Sequence, residues 1–319
     1  MVGEQVADVN YDKLKDGVYE YLPDKGSEML DRGVRLIESW EGHSRIKTII
    51  APLAPDMCTP ETYIASKEAA EKYDKRVTTH MAQSNREMNQ VWKLYGKTPT
   101  QHLSDLGIVN EKLSSAHCIY LSDEGTEIIA NAGMGVLHCP RPYLLNGVTV
   151  PLSSWLNKGI RVGLGTDNVH HDMFQTMRAA LYASRLRSRT HEESSSRILG
   201  ILEILELATI KGAEIFGLED DVGSIEKGKK ADIITINIKK PHISPTADLL
   251  SSLVLYANGN DVDDVIVDGN ILKRNGEIVF EDWKEIITNA QNISSQMWSS
   301  FWKDKPELNE AWKKVLGWN

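Results

Sequence analysis

Short apolar or β-branched runs that each end in a histidine or an aspartate recur along this chain: VTTHMAQ at 77–83, SSAHC at 114–118 and GLGTDN at 163–168. Segments with helical apolar spacing lie between them. This alternation narrows the fold to βαβ units and a parallel sheet, because parallel strands need a long crossover and a helix is the usual one. In a (β/α)₈ barrel the side chains at the C-terminal ends of the strands converge on one face. His80, His117 and Asp167 would meet there as a metal-and-base set. A hydrolytic metal centre of this kind needs more ligands, and no His-x-His pair occurs in the 319 residues.

The patterning predicts strands at 2–9, 46–54, 76–82, 113–118, 134–139 and 160–166. Helices are expected at about 27–40, 59–73, 84–95, 122–132, 151–158, 172–189 and 197–216, with a short one inside 96–107 and a polar loop before about residue 25. Thr59 followed by Pro60 is a helix-start signal. Six strands fall short of the eight that close the barrel. The fold expected for residues 1–217 is therefore a TIM-like barrel incomplete at its N-terminus, running from about strand three to strand eight. After Gly217 the character changes. Residues 218–280 carry Gly-punctuated strands with hairpin signals at Asp268-Gly269 and Asn275-Gly276, and read as a small β module. Residues 281–319 form a helical tail holding five of the eight tryptophans, Trp283, Trp298, Trp302, Trp312 and Trp318. Trp298 and Trp302 share a helix face, which suits packing on the chain's own barrel or a partner-binding surface.

A net charge of −9 leaves no basic excess to neutralise phosphates, which argues against nucleic acid as a partner. No run of 18 apolar residues exists to span a membrane, and the acidic start MVGEQVADVN does not read as a signal peptide. These features point to a cytoplasmic protein. Cys58, Cys118 and Cys139 are too few and too widely spaced for a disulfide framework. Cys118 and Cys139 end apolar runs and read as buried free thiols.

The ordered set THMAQ (79–83), SAHC (115–118), HCPRPYLLNGVTVPL (138–152), GLGTDN (163–168) and GSIEKGKKADIITIN (223–237) resembles the amidohydrolase superfamily, in its cytosine-deaminase-like branch with the S-adenosylhomocysteine and guanine deaminases and the triazine hydrolases. The resemblance extends to about residue 280 and implies that residues 218–280 are a small C-terminal β-sandwich portion. It implies one divalent metal, zinc or iron, that activates water to hydrolyse a C–N bond of a heteroaromatic amine. It also implies that His80 and Asp167 are metal ligands, that Asp167 accepts the water's proton, and that His117 hydrogen-bonds the water or the oxygen forming on substrate. In that family the first strand supplies a His-x-His pair to the metal. Its absence makes weak metal retention the expectation for this chain.

Two further departures bear on chemistry. The family's strand-five motif ends in a proton-shuttling glutamate where this chain has Gln83, and a carboxamide holds substrate but exchanges no proton near neutral pH. Leu53 stands where the family often has a substrate-touching histidine, which makes the pocket less polar. Gln83, His117, His138 and Asn168 are the expected substrate contacts, with Asn146, His170 and His171 as lesser candidates, while His102 and His242 read as surface or loop residues. The expected partner is a small heterocyclic substrate. Hydrolytic dechlorination of a triazine-like ring is the alternative within the same class. A catalytically inactive chain that needs a second subunit is the alternative outside it. Unpaired strand edges would favour a homo-oligomer or other association.

Overall fold

A computed structural model describes residues 1–15, 17–168, 171–190, 198–280 and 282–308. Six strands run parallel and in chain order: β1 (Gln5–Val6), β2 (Ala51–Pro52), β3 (Val77–Met81), β4 (Leu113–His117), β5 (Gly135–His138) and β6 (Arg161–Leu164). β1 pairs with β2, and β3 to β6 form a continuous four-stranded sheet. The two are joined where Ile50 bridges Val77 and the His80 N–H donates to the Leu53 carbonyl at 2.9 Å. The strands are mostly buried on both sides, as expected when crossover helices cover one face and the barrel interior the other. Trp155 and Tyr63 are the bulkiest of the fully buried side chains.

The helix starts follow local chemistry. Thr59, Ser84 and Ser122 each accept a hydrogen bond from the backbone N–H three residues on, opening the helices Pro60–Lys72, Asn85–Tyr95 and Asp123–Ala132. Buried Asp8, just past β1, ties the first strands to the first of these helices. Its Oδ2 accepts from the Thr59 N–H at 2.5 Å and its Oδ1 from the Thr62 hydroxyl at 2.9 Å. Gly26 in the helix Pro23–Trp40 makes room for this carboxylate, since a Cβ there would lie 1.7 Å from Asp8 Oδ1.

A second, antiparallel sheet follows, in the order β10 (Glu277–Ile278), β9 (Asn270–Arg274), β8 (Val262–Val267), β7 (Ile233–Ile236). Both expected hairpins form. Their turns place Asp268 and Gly269 at φ +50° and +77°, and Asn275 and Gly276 at φ +51° and +84°, the two left-handed positions a type I′ turn requires.

Several elements depart from the sequence pattern. The helical stretch expected at 197–216 is two helices, Ile201–Leu207 and Ile210–Phe216, parted by Thr209 at φ −131° and ψ −100°. Single-turn helices at Tyr11–Leu14 and Pro140–Leu144 occupy segments expected to be a loop and a turn. A further helix, Leu249–Leu255, lies between β7 and β8. His102 is not a surface residue: it is buried on the helix Pro99–Asp105, with its ring stacked on Tyr95 at 3.9 Å. His242 does lie in a loop, where its Nε2 meets Asp261 Oδ2 at 2.9 Å. The tail helix Trp283–Asp304 buries none of its residues, so it is not packed on the barrel. Its aromatic side chains pair with each other instead, with Trp298 and Trp302 stacked at 5.7 Å. Trp312 and Trp318 lie outside the described residues. Among the described residues no helix is long and apolar enough to cross a membrane.

Candidate active site

Strand register builds the site. β3 and β4 pair so that His80 lies opposite Ala116 and Met81 opposite His117; with His117 in left-handed backbone at the end of β4, the two histidine rings stand at a centroid separation of 5.3 Å. β5 and β6 pair His138 with Leu164, and Asp167 follows three residues past the end of β6. Asp167 Oδ2 is thereby 3.9 Å from His117 Nδ1. His80 Nδ1 lies 2.8 Å from the Leu53 carbonyl oxygen. With the proton on Nδ1, that bond fixes the ring and leaves Nε2 with its lone pair free. Asp167 Oδ1 accepts from the Asn168 N–H at 2.6 Å, which leaves Oδ2 for the site.

The loops that leave these strands are held in the left-handed region: Ala82 at φ +52°, His117 at +74°, Cys118 at +54° and Asp167 at +56°. Non-glycine residues adopt it at a cost and hold it only when their surroundings enforce it. One enforcing group is Glu87, fully buried on the helix Asn85–Tyr95. Its Oε1 accepts from the Ala82 N–H at 2.7 Å and its Oε2 from the Gln83 N–H at 2.8 Å. The carboxylate thus clamps the turn that carries Gln83.

Burial sets the protonation of the site. Desolvation pushes His117 down to about 4, aided by His80 and opposed by Asp167. His117 is therefore a neutral imidazole near neutral pH, and its Nδ1 is buried without a hydrogen-bond partner. Burial likewise takes His138 down to about 4 and raises the Cys139 thiol to about 12. A neutral imidazole with a free nitrogen beside a carboxylate, next to a second oriented imidazole, is a donor set suited to a divalent cation.

The other expected residues are placed as follows. Gln83 is half-buried and Asn168 exposed. His138 is 3% exposed and lies edge-on to Trp155 at 6.5 Å, so in this conformation its ring offers little surface to a ligand. Exposed Asn146 donates to the Pro142 carbonyl. His171 Nδ1 lies 3.5 Å from the Thr166 hydroxyl, and His170 is outside the described residues.

Four neighbours escaped the sequence reading. Tyr143 meets His117 edge-on at 5.1 Å. Cys139 closes on His117 and Asp167, the three ligand atoms lying within 4.8 Å of one another. Asp56, fully buried, accepts from the Tyr19 hydroxyl at 2.5 Å and faces Arg86 at 3.5 Å; its burial raises its pKa against both. Glu87 is the one with a sequence signal, since Ser84 and Glu87 have capping-box spacing.

The amidohydrolase family pattern matches residues 7–272, and the chain belongs to the amidohydrolase family. It is 35% identical over 273 residues to the 5-methylthioadenosine/S-adenosylhomocysteine deaminase of Moorella thermoacetica, an alignment covering 83% of this chain and 62% of that protein. The chain thus spans less than two thirds of that relative's length. The zinc-bound crystal structure of an adenosine deaminase from Xanthomonas campestris superposes with TM-score 0.83 at 25% identity, over 94% of this chain and 66% of that one. The zinc complex of the Arthrobacter aurescens atrazine chlorohydrolase does so with TM-score 0.77 at 24% identity, over 90% and 64%. These likenesses identify the parallel strands as part of a TIM-type amidohydrolase barrel with an antiparallel sheet after it.

The buried Glu87 has a measurable signature. Desolvation raises it from 4.5 to about 7, against the two backbone N–H groups that favour its charged form. Between those values the folded chain binds the extra proton, so the stability this group lends is full below about 4.5 and is lost as pH rises through about 7. Glu87→Gln keeps one acceptor oxygen but sets an NH₂ against the other backbone N–H. It should destabilise the fold by about 1–3 kcal/mol and flatten the pH dependence of the unfolding midpoint across that window. Parallel slopes for the two proteins in urea titrations would contradict the assignment.

Proposed function

We propose that this chain forms part of the active site of a metal-dependent hydrolase that replaces the amino group of a heteroaromatic amine with oxygen from water. The carrying observation is the meeting of His80, His117 and Asp167 at the ends of β3, β4 and β6, with His117 Nδ1 buried, unpartnered and 3.9 Å from Asp167 Oδ2. His80 and Asp167 would hold one divalent cation, zinc before iron given the zinc-bound adenosine deaminase of similar fold. Such an ion, when bound, lowers the pKa of water from about 16 towards about 7 and so supplies hydroxide at neutral pH.

The chain's own groups do the rest. Asp167 takes the proton of the attacking water, its carboxylate oriented by the Asn168 N–H on Oδ1. Neutral His117 hydrogen-bonds the oxygen that forms on the ring carbon, and Asp167 returns its proton to the departing ammonia. Gln83, positioned by Glu87, holds a ring nitrogen through its amide, with Asn168 at the mouth. His138 backs the pocket against Trp155 and reaches substrate only if its ring turns. The similarity to the Moorella thermoacetica deaminase favours a 6-aminopurine nucleoside as substrate. Gln83 supports a second reading within the same class. It cannot protonate a leaving group, so a ring carbon bearing chloride, which leaves without a proton, is also served.

Ammonia release from a panel of aminopurine nucleosides, aminopyrimidines and aminotriazines, with chloride release from chlorotriazines alongside, tests the proposal in zinc-supplemented protein. Asp167→Ala should abolish turnover, and Gln83→Glu should raise deamination about 10²-fold, the usual worth of a placed acid–base group. Turnover unchanged by Asp167→Ala would end the proposal. Loss of turnover in Gln83→Glu would show that the amide binds substrate and that no shuttle is needed there.

With few protein ligands the cation should be weakly held. The outer edges of β1 and β6 also have no hydrogen-bonded neighbour among the described residues. Open strand edges favour pairing, so light scattering on a sizing column should find a homo-oligomer or a complex with a second chain. A monodisperse, cooperatively unfolding monomer would contradict this.

A further inference from the structure

We propose that Tyr143 decides which rings this site accepts, its hydroxyl donating a hydrogen bond to a substrate ring nitrogen on the side away from Gln83. The residue lies on the single-turn helix Pro140–Leu144, which follows β5. Pro140 opens that turn, and the Tyr143 carbonyl accepts from the Asn146 and Val148 N–H groups at 2.9 and 3.0 Å as the chain leaves it. The backbone so held sets the half-buried phenol edge-on to His117, with ring centroids 5.1 Å apart and planes at 64°. The strand order β3-β4-β5-β6 sets what lies on either side of His117: Gln83 follows β3, and Tyr143 follows β5. A flat ring bound beside His117 would meet an amide at one edge and a phenol at the other.

The hydroxyl is free for this role, with no hydrogen-bond partner among the described residues. A phenol O–H away from bulk water normally finds a partner, and a substrate nitrogen supplies one. Burial and then Asp167 raise its pKa, followed by Cys139, Glu87 and Tyr120, so it keeps its proton and serves as a donor. Those four residues lie past the ends of β6, β5, β3 and β4, which sets the phenol oxygen among the site's own groups. The inference rests on the hydrolase reading for the kind of ligand and adds a criterion for the ring. A 6-aminopurine has acceptor nitrogens on both sides of the reacting carbon, N1 next to it and N7 across from the amino group. An aminotriazine also has a nitrogen on each side. A 4-aminopyrimidine has a nitrogen on one side and a C–H on the other. With Gln83 on the first nitrogen and Tyr143 on the second, purines and triazines are favoured over pyrimidines.

Calorimetric titration of the zinc-supplemented full chain with inosine and with 7-deazainosine tests this without requiring turnover. The two nucleosides differ at one ring position, where the nitrogen assigned to Tyr143 becomes C–H. The wild type should bind inosine about 3–10-fold more tightly, the usual worth of one net hydrogen bond. Tyr143→Phe keeps the ring beside His117 and removes only the hydroxyl. It should bind both nucleosides alike at the weaker affinity, and the four affinities form a double-mutant cycle that isolates the contact. The wild-type comparison needs no variant, so a Tyr143→Phe chain that fails to fold does not shield the proposal. Equal affinities in the wild type, or a preference that persists in Tyr143→Phe, overturn it; ammonia release from adenosine alongside either result leaves the hydrolase reading standing. A preference abolished by Tyr143→Phe in a chain that releases no ammonia keeps the Tyr143 contact and counts against hydrolysis. Binding of neither nucleoside overturns the proposal, and with no ammonia released it overturns both.

Discussion

The parallel register of β3 on β4 is the constraint from which the site follows. It sets Met81 opposite His117 and His80 opposite Ala116, one residue out of step. Alternation alone would turn the two imidazoles to opposite faces, and the left-handed backbone at His117, φ +74°, turns its ring to within 5.3 Å of that of His80. Burial supports this register: Val77, Thr79 and Met81 stand opposite Leu113, Ser115 and His117, and all six are buried. The same sheet carries β5 and β6, so the positions of Cys139 and Asp167 are set by ladder hydrogen bonds rather than by loop conformation alone.

What the strands deliver, the turns aim. Four residues at strand ends sit in left-handed backbone, and hydrogen bonds brace the turn after β3. Glu87 binds the two N–H groups of the turn after β3, and the Met81 and Ala82 carbonyls accept from the Cys118 and Tyr120 N–H groups. Asp8 does similar work at the other end of the sheet, tying β1 to a helix start through Thr59 and Thr62. These are short-range, fully satisfied polar contacts in buried surroundings, where leaving a donor unpaired costs about 1–3 kcal/mol.

All six strands were legible in the sequence because each is a short apolar or β-branched run bounded by turn residues. Both type I′ hairpins were legible because Asp-Gly and Asn-Gly supply left-handed conformations cheaply. His80, His117 and Asp167 were legible by the same rule that places chemistry at strand ends. Other features have no local signature. The break at Thr209 interrupts an uninterrupted apolar period. His102 is buried by stacking on Tyr95, a contact between separate helices. Cys139 read as an inert buried thiol because its closeness to Asp167 exists only once β5 and β6 pair. The exposure of the tail helix was equally hidden, since an apolar stripe looks the same whether or not something covers it.

The family's fold thus persists in a chain that spans less than two thirds of its Moorella thermoacetica relative, with a cluster of donors at the ends of β3, β4 and β6 that suits a cation. Anomalous diffraction from crystals soaked in zinc measures this directly. The account predicts one strong peak at those strand ends, within bonding distance of Asp167. A peak elsewhere, such as at the His242–Asp261 pair, or no peak at millimolar zinc, would contradict it.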